Sequence, residues 1–258
     1  LFYLTGPIRK PILHDVGAFC HALISYDTTF SAKHLFALKM SSINAGQSYL
    51  LGYNSLQLLG WSFLLYTYVS ESYQSGQWLI YSPHAEFLLR VFQTLGLLEI
   101  LHASVRLVKS SPITTALQLF SRVFVVWGIL FLIPAVKYST IAVPLILVSW
   151  CCAEILRYVF YALHICNSLP QAIIWLRYSA FMLLYPTGIT GELIFMYRAV
   201  QHLHQRNLYK LAMPNVWNIS FDYKWFIIAV LLSYIPFAPK LYLYMLSQRR
   251  KTLKQKAQ

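Results

Sequence analysis

Charge is scarce in this sequence. Asp, Glu, Lys and Arg make up 11% of its 258 residues, where about 25% is usual for a soluble domain. Acidic groups are the rarest: eight, against 21 Lys and Arg, for a formal net charge of +13. A water-soluble domain this poor in charge could not cover its own surface. That excludes the soluble classes, a soluble nucleic-acid binder among them despite the positive balance. Cysteine is sparse too. Cys20, Cys151, Cys152 and Cys166 show no zinc-site spacing and read as packing residues, the usual role of a buried free thiol. With no metal ligands, nucleophile triad or phosphate loop, neither a metal nor a cofactor is expected.

What is abundant is apolar. Hydrophobic residues reach 58%, with 16 Phe, 19 Tyr and 7 Trp, too many for a disordered chain. They fall into six runs, at 49–69, 86–107, 113–133, 139–164, 172–199 and 225–246. Each is near the ~20 residues that a helix needs to cross a bilayer. Backbone polar groups in lipid must be satisfied internally, which selects helices. The predicted fold class is all-α, a polytopic membrane helix bundle of six transmembrane helices. Between the runs lie Ser82-Pro83, Ser110-Ser111-Pro112, Lys137-Tyr138-Ser139 and Asn167 to Pro170. Pro83 and Pro112 fall near helix starts, where a missing N–H costs little.

The predicted organisation is an N-terminal extension over 1–48, a six-span domain over 49–246 and a basic tail over 247–258. Residues 1–39 hold no sustained apolar period and no signal-peptide pattern. The first Met is Met40, immediately before the organised sequence. Residues 1–39 are therefore expected to be a poorly ordered extension or foreign to the native protein. Basic residues gather in the N-terminal tail, around the second loop (Arg106, Lys109) and at the C-terminus (Arg249, Arg250, Lys251, Lys254, Lys256). By the positive-inside bias this places both termini in the cytosol. The fifth loop resists, since it carries Arg206, Lys210 and Lys224 yet must be lumenal by alternation. It also holds the sequon Asn218-Ile219-Ser220.

Ionisable residues inside spans are costly and mark function by default. The runs contain Arg90, Glu99, His102, Arg122, Glu154, Arg157, Arg177 and Glu192. Glu154 and Arg157, three apart, form a local ion pair by their spacing. Glu99 and His102 are expected to hydrogen-bond between helices, and Arg122 to answer one of the glutamates. Glu192 is different, because its own segment offers no charged partner within a turn. It follows Tyr185-Pro186-Thr187-Gly188-Ile189-Thr190-Gly191, where Pro186 and the two glycines predict a helix break that forms a pocket wall. Tyr178, Tyr185 and Glu192 are spaced by seven and return to nearly one face. A carboxyl in an apolar pocket serves as a proton donor or a reactive base. With a Tyr beside it, the chemistry indicated is proton transfer, as in elimination or isomerisation.

The run Trp175-Leu176-Arg177-Tyr178, then Leu184-Tyr185-Pro186-Thr187-Gly188 and Glu192, resembles the very-long-chain (3R)-3-hydroxyacyl-CoA dehydratases. This is the protein-tyrosine-phosphatase-like family with its PASTICCINO-type plant members. Tyr53-Asn54, Leu98 to His102, Gln118 with Ser121-Arg122, and Glu154 to Tyr158 add to it, as does the closing Tyr244 to Arg250. The resemblance covers about 49–256. It implies a six-span endoplasmic-reticulum hydro-lyase that turns 3-hydroxyacyl-CoA into trans-2-enoyl-CoA, the third step of fatty-acid elongation. The partners implied are the acyl-CoA substrate, membrane lipid and the condensing enzyme, ketoacyl reductase and enoyl reductase of the cycle. The family's catalytic Tyr and Glu fall on Tyr185 and Glu192. One residue takes the proton beside the thioester and the other supplies one to the 3-hydroxyl, with the assignment open at this point. Arg177 and Tyr178 are candidate substrate-binding residues, Arg177 for the CoA phosphates. The terminal Lys254 and Lys256 resemble a dilysine retrieval signal.

The sequence also offers two rival readings. Cys151 and Arg157 show the Cys-x5-Arg spacing of a phosphatase. But Cys152 to Leu156 reads as mid-helix, with a carboxylate where a phosphate would sit, and a phosphate loop needs free backbone N–H groups. A non-catalytic reader of phosphorylated partners meets the same objection. A transporter or membrane scaffold would use the intramembrane charges for ions or subunit contacts, yet no paired half-repeats are present.

Overall fold

The computed structural model of the protein describes residues 44–79, 81–138, 140–211 and 220–254. The expectations for residues 1–39, the Asn218 sequon, Cys20 and Lys256 lie outside these. Among the described residues seven α-helices follow in chain order: α1 Ala45–Ser75, α2 Pro83–Leu95, α3 Leu98–Ser104, α4 Pro112–Val123, α5 Ala142–Ile165, α6 Gln171–Arg206 and α7 Tyr223–Lys254. α2 and α3 make one membrane-crossing element, and α4 continues directly into a π-helix, Phe124–Phe131. A two-residue antiparallel pair, β1 Lys210–Leu211 with β2 Phe221–Asp222, closes the fifth loop.

Five of these elements are long and apolar enough to cross a membrane: Pro83–Ser104, Pro112–Phe131, Ala142–Ile165, Gln171–Arg206 and Tyr223–Arg250. α1 is the sixth. Its 31 residues suffice in length, and its polar residues point inward. Asn54 and Gln57 are buried while Leu56, Leu59, Phe63 and Tyr66 are exposed. Gln57 donates to the Tyr53 hydroxyl at 3.1 Å and approaches the Phe92 carbonyl at 3.4 Å. An average over the whole helix hides an outer face that suits lipid.

The ends follow local chemistry. Asn44 caps α1 in a reciprocal box with Gln47, which satisfies backbone donors that have no partner within the helix. Gly76 ends α1 with φ 67°, the left-handed conformation that glycine adopts without a Cβ penalty. Ser82 caps α2, and Pro83 and Pro112 occupy first turns.

α5 is the centre of the bundle, packed between α1 and α6, with α7 laid along α6. Ile146, Leu147 and Cys151 of α5 are fully buried beside Leu64 of α1 and Phe195 and Met196 of α6. The expected break before Glu192 is absent: α6 runs unbroken through Pro186. Neighbouring hydroxyls serve its backbone. Thr187 donates to the Leu183 carbonyl at 2.8 Å, and Thr190 to that of Pro186 at 2.8 Å. Ser and Thr commonly make proline tolerable in membrane helices in this way. The glycines are there for close approach instead. A Cβ on Gly191 would lie 2.7 Å from Cγ1 and 3.2 Å from the backbone N of Ile146.

Candidate active site

A cavity of about 760 Å³ lies among α4, α5, α6 and α7. Its inner boundary is a charged cluster on three spans. Arg157 of α5 donates to Glu99 of α3 at 2.8 Å and pairs with Glu154 one turn back on its own helix. Arg122 of α4 pairs with the same Glu154, its guanidinium 4.6 Å from the Trp150 ring centre. The Tyr158 hydroxyl donates to the other oxygen of Glu99 at 2.7 Å. Two carboxylates thus meet two guanidiniums, as the Glu154–Arg157 spacing foretold in part. Arg122 has chosen Glu154. His102 bonds outward to the Tyr49 hydroxyl of α1 at 3.0 Å, so Glu99 and His102 both tie to other helices.

Glu192 is treated otherwise. It is buried, it lines the cavity, and it takes part in none of the ion pairs among the described residues. Its Oε2 accepts a hydrogen bond of 2.5 Å from the Tyr234 hydroxyl of α7. Tyr185 lines the same cavity from α6. Its ring stacks on Tyr242 with centroids 5.9 Å apart, and its hydroxyl donates to the Ala238 carbonyl of α7 at 3.1 Å. Because α6 is unbroken, Tyr185 and Glu192 stand about 10 Å apart along its axis. A ligand that touches both must lie along the helix, and the cavity is extended in that direction.

Arg177 lines the cavity nearer the start of α6. Its guanidinium lies 4.4 Å from the Phe160 ring centre and donates to the Tyr161 hydroxyl at 3.2 Å. Lys240 of α7 also lines the cavity, between Ala238 and Tyr242, the two residues that Tyr185 meets. Tyr178 is not among the lining residues: it meets Phe160 edge-on, with centroids 6.5 Å apart. The structure therefore brings Tyr185, Glu192 and Arg177 to one cavity and leaves Tyr178 beside it. Tyr234 was missed by sequence reasoning. Its one signal is a tyrosine that follows the aliphatic stretch Ile227 to Leu232, and nothing in sequence separation points to a residue 42 positions away.

Cys151 sits fully buried in the middle of α5 with its backbone in the helix, and Arg157 is held between Glu99 and Glu154. No phosphate-binding loop exists there. No group of three or more His, Cys, Asp or Glu able to hold a metal ion occurs among the described residues.

The family described as protein tyrosine phosphatase-like protein, PTPLA, matches residues 93–255. The very-long-chain (3R)-3-hydroxyacyl-CoA dehydratase hpo-8 of Caenorhabditis elegans is 42% identical over 208 residues, 80% of this chain and 95% of that one. The human very-long-chain (3R)-3-hydroxyacyl-CoA dehydratase 2 is 41% identical over 211 residues, 80% of this chain and 81% of its own. PASTICCINO 2 of Arabidopsis thaliana, a dehydratase of the same name, is 40% identical over 206 residues, covering 80% and 92%. No solved structure matches the chain. The match over residues 93–255, with this identity to relatives along most of their length, shows that the chain belongs to the protein tyrosine phosphatase-like (PTPLA) family.

Proposed function

We propose that the protein dehydrates very-long-chain (3R)-3-hydroxyacyl-CoA to the trans-2-enoyl-CoA, the third step of fatty-acid elongation, and that Tyr185 and Glu192 carry the chemistry. The observation that carries this reading is the contrast among the intramembrane glutamates. Glu99 and Glu154 are tied to arginines, whereas Glu192 stands in the cavity with the Tyr234 hydroxyl and the Trp150 indole as its hydrogen-bond partners and is in none of the ion pairs among the described residues. A scaffold has no use for such an arrangement, but an elimination needs it. Glu192 already accepts a bond from Tyr234 on one oxygen, so its other oxygen takes the proton from C2. C2 and C3 are bonded neighbours, so when substrate binds the Tyr185 hydroxyl must swing from the Ala238 carbonyl toward Glu192 to reach the 3-hydroxyl; it gives that oxygen its proton, and water leaves while the C2–C3 double bond forms. The cycle closes when the proton on Glu192 returns to Tyr185.

The CoA end lies toward the start of α6, where Arg177 meets its phosphates. About 22 Å of helix axis separates Arg177 from Glu192, room for an extended pantetheine arm. The membrane is that of the endoplasmic reticulum, with both termini cytosolic, and the condensing enzyme and the two reductases of the cycle are neighbours. One objection to this orientation weakens. Lys210 and Lys224, two of the three cations of the fifth loop, both lie 3.7 Å from Asp222.

The test is turnover of a 3-hydroxyacyl-CoA by membranes that carry Tyr185→Phe or Glu192→Gln. Each variant keeps shape, so protein level should hold. Activity should fall on the order of 10²-fold or more, as expected for a lost proton-transfer group. Near-normal turnover in either variant removes that residue from the mechanism.

A further inference from the structure

The third and sixth spans are fastened at one end and parted at the other. At the fastened end the Tyr223 hydroxyl of α7 donates to the Gly128 carbonyl of the π-helix at 2.8 Å, and Phe124 meets Phe226 edge-on at 5.5 Å. A Cβ on Gly128 would lie 2.7 Å from the Tyr223 hydroxyl, so little more approach is possible. Away from this clasp, α4 packs chiefly against α3 and its own π-helical continuation. The cavity occupies the space between α4 and α7. Several of its lining side chains are also open to the outside: Leu117 is 71% exposed, Phe120 53% and Phe237 66%, and Thr114, Lys240 and Tyr244 are exposed as well. A side chain faces both a cavity and the exterior only where the cavity opens. The three most exposed of the large apolar ones are Leu117, Phe120 and Phe237, and Phe237 lies one helical turn from Tyr234, the partner of Glu192. The opening is therefore a slot at the depth of the carboxylate, within the membrane.

We infer that this slot is the binding path of the acyl chain: the tail of the substrate leaves the cavity sideways between α4 and α7 and continues among lipid chains. The inference rests on the dehydratase reading and deepens it. A very long tail has no other apolar way on. Past Glu192, Ile146, Phe195 and Met196 show no exposure and close the bundle. In the other direction the cavity leads to Arg177, where a hydrocarbon is not welcome. A slot that opens on lipid also has no end wall, so the tail is solvated by the bilayer whatever its length. The specificity-determining residues are then the slot's rims, Leu117 and Phe120 on one side and Phe237 on the other.

The test closes the slot. In full-length protein whose native cysteines are replaced by serine, Leu117→Cys and Phe237→Cys are joined by a bifunctional thiol reagent, with completeness read by mass. Turnover of a short-chain 3-hydroxyacyl-CoA should persist. Turnover of a very-long-chain one should fall by about tenfold for every two methylenes kept from the apolar phase. An equal loss for both chain lengths, or no loss with the bridge complete, overturns the inference. A second measurement needs no variant. A very-long-chain substrate with a photoreactive group on its last carbon should label phospholipid and the rims Leu117, Phe120 or Phe237. Labelling confined to Ile146, Phe195 or Met196 overturns it. Failure of the unbridged, folded protein to turn over either substrate would strike the dehydratase reading instead, and the photolabel would still report the path of the tail.

Discussion

The charged cluster beneath the cavity makes a demanding prediction for Glu154→Gln. Glu154 lies on α5, about 18 Å along the helix from Ala142, with its carboxylate between Arg122 and Arg157. All four members of the cluster are buried or nearly so. As two anions and two cations they are neutral together. Replacing Glu154 by Gln leaves two guanidiniums facing Glu99 alone, with one uncompensated positive charge inside the bundle. Breaking a buried pair in this way costs about 3–5 kcal/mol, a large share of the roughly 5–15 kcal/mol that holds a typical protein folded. For a chain of this size the loss corresponds to a fall in Tm on the order of 10 °C. Thermal denaturation of detergent-purified protein, followed by the fraction still monodisperse, measures it. The double variant Glu154→Leu with Arg122→Met removes one charge of each sign and leaves Arg157 with Glu99. It should regain at least half of the lost stability, because neighbouring charges couple rather than add. A single variant within about 1 kcal/mol of the parent would refute the reasoning, since surface-like pairs are worth no more than that. Strict additivity in the double variant would refute it as well.

Tyr234→Phe removes the hydroxyl that holds Glu192. It should lower kcat roughly tenfold to a hundredfold with KM little changed, the size of a hydrogen bond to a charged group; steady-state kinetics on 3-hydroxyacyl-CoA decide it. Cys151→Ser should leave turnover of the same substrate intact, and loss of activity at constant protein level would revive a cysteine mechanism. Gly191→Ala should destabilise the protein by about 1–3 kcal/mol, because its Cβ would press on Ile146. Gly52→Ala, with nothing within 4 Å of its Cβ, is the control in the same thermal assay and should be neutral or stabilising by up to about 1 kcal/mol.

The spans were legible because lipid allows few backbone solutions. The hydrophobic runs mark where helices lie, and Ser82-Pro83 and Ser111-Pro112 mark where two of them start. Within one helix, spacing also worked: Glu154 and Arg157 are paired as their separation implies. The failure at Pro186 came from treating proline alone. α6 runs through it without interruption, and the Thr187 and Thr190 hydroxyls bond carbonyls on either side, those of Leu183 and Pro186. Gly188 and Gly191 allow by sequence either close approach or a positive φ, and it is close approach, to α5, that they provide; a sequence does not say which helix lies opposite. The same limit hid Tyr234, whose importance exists only once α7 is laid against α6. Tyr178 shows the converse. Spacing by seven puts it on nearly the same face as Tyr185, but a neighbour, Phe160, takes up its ring before it reaches the cavity.

The π-helix at Phe124–Phe131 has a consequence for how this span tolerates change in length. A π turn holds more residues than an α turn and commonly amounts to one extra residue slipped into a helix. Here it sets the phase between two faces of a single rod: Gln118 and Ser121 look into the cavity, and Gly128 looks at Tyr223. Deleting one residue between Phe124 and Phe131 would let the segment relax to a regular α-helix, which turns by about 100° per residue. Because the wider π turns had absorbed that residue, the tighter α turns of the shortened segment would make up most of the lost rotation, and the two halves would keep nearly their present phase. A frame-preserving loss of one codon within Phe124–Phe131 should therefore be tolerated better than the same loss within α4, which would turn the residues on its two sides by about 100° against each other.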